Sequence, residues 1–83
     1  MKLLYFALVR QKIGIRREEL SLAEGVTTVA ALLEALRKRG SGYAEAFRDT
    51  SRLRCAINQE HAGFDAKVRP DDEIAFFPPV TGG

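Results

Sequence analysis

Val29, Leu32, Leu33 and Leu36 stand at i, i+3, i+4 and i+7, so one segment of this 83-residue chain must form a helix with a single apolar stripe. A stripe of that kind has to be covered by another layer. The segments on either side alternate with the two-residue period of strands, which makes a sheet the natural cover. Thr27 or Thr28 can cap the helix N-terminus, because a threonine hydroxyl accepts from orphan backbone N–H groups. Gly40 sits just past the helix end, where a left-handed C-cap is expected. Tyr43 to Phe47 is expected to add a second short helical turn.

Residues 1–10 are apolar except near their ends, which predicts a central strand covered on both faces. Its odd face carries Leu3, Tyr5, Ala7 and Val9. Its even face carries Leu4, Phe6 and Leu8 between the charged Lys2 and Arg10, so the odd face is assigned to the core. Gly14 marks a turn, and residues 16–22 form a second strand that pairs with the first as a hairpin. Gly25 ends the unit. Leu53, Cys55 and Ile57 alternate with Arg54, Ala56 and Asn58 in a third strand, and a short fourth lies near residues 60–64. Pro70-Asp71-Asp72 is a turn signal. Residues 73–77 form the last strand, with Ile74 and Phe76 on one face and Ala75 and Phe77 on the other. Pro78-Pro79 ends it, because prolines supply no ladder donors. With the last strand returning beside the first, the order β-β-α-β-(β)-β gives an α+β fold. It is a β-grasp, or ubiquitin-like roll, with a mixed sheet of four to five strands and one main helix across one face.

Length allows one domain, with residues 1–77 as the globule and 78–83 as an extended tail. A chain this short leaves no room for a deep, self-contained active site. Thirteen Lys and Arg against 11 acidic residues give a net charge of +2, too weak to argue for nucleic acid. The densest basic run, Arg37-Lys38-Arg39, falls where the helix ends and its dipole favours cations. A single cysteine, Cys55, excludes an internal disulfide and fits a reducing setting. No apolar stretch approaches the roughly 20 residues of a membrane span. Met1 to Phe6 reads as a strand rather than a signal peptide, since Arg10 and Lys12 follow without a cleavage site. A cytoplasmic protein is expected.

Internal chemistry is scarce. His61 is the only histidine and has no serine or cysteine motif around it. Cys55 alternates with core residues and reads as a small buried hydrophobe. Asp71, Asp72 and Glu73 are adjacent acids in a turn, whereas a metal needs ligands that converge from separate positions. No Gly-rich loop precedes a helix to cradle phosphate. No bound cofactor and no metal are expected.

The tail is different. Pro78 and Pro79 stiffen the exit from the sheet, and Val80, Thr81, Gly82 and Gly83 follow. The arm from Pro78 to Gly83 spans at most about 20 Å, enough to enter a partner's cleft. Glycine at the last two positions removes every Cβ, so a narrow channel can admit the backbone. The Gly83 carboxylate then becomes the most accessible acyl group of the molecule.

Phe76-Phe77-Pro78-Pro79-Val80-Thr81-Gly82-Gly83, preceded by Asp72-Glu73-Ile74-Ala75, resembles the C-terminus of molybdopterin synthase small subunits. Ala56-Ile57-Asn58-Gln59 is similar to that family too. The resemblance implies a sulfur carrier that is not an enzyme on its own. A ubiquitin-activating-like adenylyltransferase would spend ATP to adenylylate Gly83. A sulfur donor would convert the acyl adenylate to a thiocarboxylate, leaving a C-terminal thioglycine. The large catalytic subunit would receive the tail and hold cyclic pyranopterin monophosphate, whose dithiolene the carrier's sulfur completes. Neither nucleic acid nor a membrane enters this scheme.

Rival readings share the fold. One is the sulfur carrier of thiamine thiazole synthesis. Another is a ubiquitin-like modifier conjugated through Gly83. A third is a plain interaction module with an inert tail. All but the last need the tail to be aimed, so the surface at its base should dock a partner. Phe77 has opposite parity to Ile74 and Phe76, and Phe6 has the matching outward parity on the first strand. Together they predict an apolar docking patch beside the tail.

Overall fold

A computed structural model of the chain describes residues 1–79. Val80, Thr81, Gly82 and Gly83, where the sequence places the reactive end, lie outside the described residues. Among the described residues the sheet has five strands: β1 (Lys2–Tyr5), β2 (Arg17–Glu19), β3 (Arg54–Ile57), β4 (Glu60–Ala62) and β5 (Glu73–Phe77). Their order is β2-β1-β5-β3-β4, an open mixed sheet. β1 and β5 run parallel, with Leu3 opposite Ile74 and Tyr5 opposite Phe76; the other neighbours are antiparallel. The first two strands pair antiparallel as expected, but a helix rather than a turn at Gly14 connects them. The last strand returns beside the first as expected.

The described residues also form three α-helices that pack with the sheet: α1 (Ala7–Ile13), α2 (Val29–Arg37) and α3 (Ser41–Ala46). The stripe of α2 behaves as its spacing requires, with Val29, Leu32, Leu33 and Leu36 all buried. They pack with Leu3 and Tyr5 of β1, Cys55 of β3, and Ile74 and Phe76 of β5. Phe47, just after α3, stands edge-on to Phe76 at 5.1 Å between ring centroids. At the start of α2, Thr28 is the cap and its hydroxyl accepts from Ala31 N at 3.2 Å. The loop before β5 also serves this end: Val29 N donates to Ala66 O and Ala30 N to Phe64 O. Orphan donors at a helix start need such partners. The chain from Phe64 to Val68 is therefore held against the helix as firmly as a strand would be.

The first ten residues do not form one strand. β1 stops at Tyr5, Phe6 is extended, and the chain turns at Ala7 (φ 52°) into α1. Two features on the partner strands explain the stop. Phe6 N still donates to Phe76 O, but the next stretch of β5 runs into Pro78-Pro79, which offer no donors. On the other side, Tyr5 N pairs with Arg16 O at the end of the hairpin. Val9 and Ile13, at i and i+4, then turn inward from the new helix; Val9 is buried and Ile13 half-buried. Ala7 and Arg10 thus belong to a helix, not to opposite faces of a strand. β1 is covered on one face only, with Leu3 and Tyr5 buried, Lys2 exposed and Leu4 half-buried.

The left-handed C-cap expected at Gly40 lies elsewhere. Gly40 has φ 162°, ordinary extended backbone, and serves as the N-cap of α3, while α2 ends at Lys38 in right-handed geometry. A left-handed C-cap is found instead at Gly14 (φ 97°), whose N–H returns to Arg10 O at 2.8 Å and closes α1. β2 is shorter than residues 16–22. Leu20 adds one more bond to Met1 O, and Leu22 leaves the sheet to pack on the core.

Candidate docking surface and tail exit

β5 sits between β1 and β3, and its pairing runs through Phe77 opposite Arg54. The tail therefore starts from a strand anchored on both sides. Ile74 and Phe76 are fully buried, whereas Phe77 has the opposite parity and is half-buried. On that outer face the His61 ring of β4 stands edge-on to Phe77, 5.4 Å between centroids. Phe6 occupies the position after Tyr5 in the parallel register and is 47% exposed. Phe6 and Phe77 thus lie on adjacent chains where the tail leaves.

The exposed apolar surface extends further than those two aromatics. Among the described residues the large exposed apolar side chains are Phe6, Leu8 (58%) and Ile15 (40%), all on or beside α1. The sequence sets Leu8 on the outer face with Phe6, but neither Leu8 nor Ile15 was expected as part of the docking patch. The helical spacing of Val9 and Ile13 is the signal that α1, rather than a longer strand, carries this surface. Arg10, Arg16 and Arg17 line the hollow beside Phe6, together with Leu4 and Ile15. An apolar patch with a cationic rim is the usual make-up of a protein-binding surface.

A second hollow flanks the tail on its other side. Pro78 and Pro79 form one wall. Leu8, Val9 and Lys12 of α1 and Glu45 and Ala46 of α3 form the other, with Arg48, Asp49, Arg52 and Leu53 beyond. Lys12 and Arg48 both reach Glu45, at 3.3 and 3.5 Å. Asp49 accepts from the Ser51 hydroxyl and backbone N–H, and these bonds hold its carboxyl below the usual range. The helices that build this hollow meet at Gly42, where any Cβ would run into the backbone carbonyl of Lys12.

Glu18 ties the hairpin to the helices. Its Oε2 accepts from the hydroxyls of Tyr5 and Tyr43, each at 2.7 Å, and its Oε1 pairs with Arg39 at 3.1 Å. Burial first, and then the bond to Glu18, pushes both phenols above their ordinary range. The basic run at the end of α2 is therefore partly committed. Arg37 donates to Phe47 O through Nε and Nη2, and Arg39 also lies over the Tyr43 ring.

Asp72 and Cys55, also singled out in the sequence, have structural partners. Asp72 accepts from Asn58 Nδ2 and from Arg69 N, while Glu73 N donates to Asn58 Oδ1. These bonds brace the β3–β4 turn, where Asn58 and Gln59 take positive φ. Cys55 is 1% exposed, and its thiol donates to Ala62 O. Burial pushes that thiol's pKa up, away from reactivity. No group of three His, Cys, Asp or Glu among the described residues is placed to hold a metal. No helix among them is long and apolar enough to cross a membrane.

The chain is 40% identical over 83 residues to the molybdopterin synthase sulfur carrier subunit of Escherichia coli (strain K12), covering all of this chain and 99% of that one. Among solved structures it resembles a putative molybdopterin converting factor, subunit 1, from Pyrococcus furiosus. There the TM-score is 0.75 and the identity 32%, over 95% of each chain. It also resembles the small archaeal modifier protein 1 of Haloferax volcanii, with a TM-score of 0.77 and 25% identity over 96% and 97% of the two chains. The ThiS family model matches residues 3–83, and with it the fold is the ubiquitin-like β-grasp: the chain belongs to the ThiS family.

Proposed function

We propose that this chain is the sulfur carrier of a molybdopterin synthase and that the Gly83 carboxylate is its working group. The observation that carries the reading is the exit of the tail. A central, doubly paired strand delivers Pro78-Pro79 beside exposed Phe6 and half-buried Phe77, with arginines around the patch. The names of the bacterial relative and the Pyrococcus structure support the same reading.

The chemistry needs little from the globule itself. A carboxylate is a poor acyl electrophile, because oxide is a poor leaving group. An adenylyltransferase partner uses ATP to join the Gly83 carboxylate to AMP with loss of pyrophosphate. Sulfur from a donor then attacks the acyl carbon and AMP leaves, giving the thiocarboxylate. A thioacid is far more acidic than a thiol, so this sulfur is an anionic nucleophile at neutral pH. The large synthase subunit receives the tail in a channel, where it meets cyclic pyranopterin monophosphate. Docking supplies proximity, and the partner supplies general acid–base groups. Each of two carriers forms a carbon–sulfur bond to the pterin through its thiocarboxylate. Water then cleaves the acyl–sulfur bond, so the sulfur stays for the dithiolene and the carrier leaves as carboxylate. Pro78, Pro79, Val80, Thr81 and Gly82 serve as the arm, with Phe6 and Phe77 as anchors.

The likeness to an archaeal protein named as a modifier favours a second reading, conjugation through Gly83 to amines. Both begin with the same acyl adenylate. Intact mass after activation in cells separates them. Replacement of one oxygen by sulfur supports the carrier; ladders of heavier conjugates with no sulfur gain support the modifier.

A further inference from the structure

We propose that the hollow between α1 and α3 is a binding site for this chain's own C-terminal carboxylate, which holds the tail on the globule until a partner takes it. The proposal rests on the reading of Gly83 as the working group and adds a resting place for it.

Three observations point there. First, Pro79 is itself a wall of the hollow. The four residues that follow it span at most about 13 Å, so Gly83 can reach along the hollow but not far beyond it. Second, the hollow carries three cations, Lys12, Arg48 and Arg52, against two carboxylates, Glu45 and Asp49. Glu45 already serves both Lys12 and Arg48, and Asp49 is bonded to Ser51. Arg52 makes no ion pair within 4 Å among the described residues, though its charge acts on Asp49. Three cations against two carboxylates leave one positive charge in the hollow for an anion. Guanidinium suits a carboxylate through two parallel hydrogen bonds. Third, Leu8 is exposed above buried Val9 and Leu53, an apolar strip that matches Val80. Glycine at 82 and 83 lets the backbone lie close to the wall. A thiocarboxylate carries the same charge and would be held in the same way.

The consequence is a competition. A partner's channel has to draw the tail off the hollow, so seating there lowers the fraction of tails free to enter it. Weakening the site should speed capture of the tail rather than slow it.

The test is nuclear magnetic resonance on the free chain, comparing residues 1–83 with a chain ending at Thr81. The proposal expects the amides of Leu8, Arg48 and Arg52 to shift on truncation, while those of the distant β3–β4 turn stay put. It also expects the heteronuclear NOE of Gly83 to fall in Arg52→Ala to the value of a free end. Unmoved hollow amides, with a Gly83 NOE that is already that of a free end in the unaltered chain, would overturn it. The truncation arm needs no substitution, so the test survives a variant that folds poorly. Failure of the parent reading shows up separately: Gly83 would then gain no sulfur whatever the hollow does.

Discussion

Two apolar stretches of similar make-up are used in opposite ways. Between Val29 and Leu36 every large side chain of the stripe is buried, and α2 gives the sheet its core. Between Phe6 and Ile15 only Val9 is buried, while Phe6, Leu8 and Ile15 stay exposed around the tail exit. Both stretches form helices. The difference lies in what they face: α2 crosses the sheet, whereas α1 packs by one edge on α3 and β5 and leaves its other side open. Apolar residues inside build the fold; the same residue types left outside on a short helix mark where something else docks.

That comparison can be broken by substitution, and the largest effect should come from the inner set. Phe76→Ala removes a fully buried ring that touches Tyr5 and Phe47. It should destabilise the domain by about 3–5 kcal/mol, read as a large fall in melting temperature. If the melt barely moves, the core has been placed on the wrong face. Gly42→Ala comes next. Its Cβ would meet the Lys12 carbonyl, which cannot swing away as a side-chain tip could. A loss of about 1–3 kcal/mol in denaturant unfolding is expected from overpacking at the α1–α3 contact.

The outer set should behave in reverse. Phe77→Ala should weaken binding to the large subunit by about 2 kcal/mol, roughly thirtyfold, because aromatic anchors carry much of an interface. Its melt should change far less than that of Phe76→Ala, since Phe77 is only half-buried on the outer face of the sheet, edge-on to His61. Titration calorimetry with melts on both variants reads the pair together. An unfolded Phe77→Ala beside a stable Phe76→Ala would invert the assignment. The smallest effect belongs to Leu8→Ser. An exposed residue away from caps and core should alter stability by no more than about 0.5 kcal/mol. A much larger loss in its melt would mean that α1 is part of the core after all.

The same comparison explains what could be read from sequence. α2 was legible because its period, its Thr28 cap and its length agreed. β5 was legible to the residue, since Asp71-Asp72 opens it and Pro78 closes it. The antiparallel pairing of β1 with β2 was expected from their nearness in sequence, although a helix rather than a turn joins them. The parallel return of β5 was expected from the β-grasp order. α1 was not legible, because a continuous apolar run does not distinguish a buried strand from a helix. What decided it was non-local: β5 runs out of donors at Pro78, so β1 has nothing to pair with beyond Phe6. Gly14 reads in the sequence as a turn and Gly40 as the C-cap; the presence of α1 makes Gly14 the left-handed cap instead. At the candidate site, the half-buried state of Phe77 agrees with strand parity, and Phe6 is exposed although β1 ends before it; their docking role is a proposal. The spread of the patch to Ile15 and the cations of the α1–α3 hollow were not legible, since they come together only when α1, α3 and the tail root meet.

In the proposed carrier the globule supplies stability and the Gly83 end supplies the chemistry. Intact mass before and after incubation with the adenylyltransferase, ATP and a sulfur donor tests it on two chains, one ending at Gly83 and one at Gly82. The fold should be indifferent to the loss, since chain ends outside the core contribute little. The account predicts one oxygen replaced by sulfur in the full chain, none in the shortened chain, and the same melting temperature for both. Equal sulfur gain in the chain ending at Gly82 would contradict it.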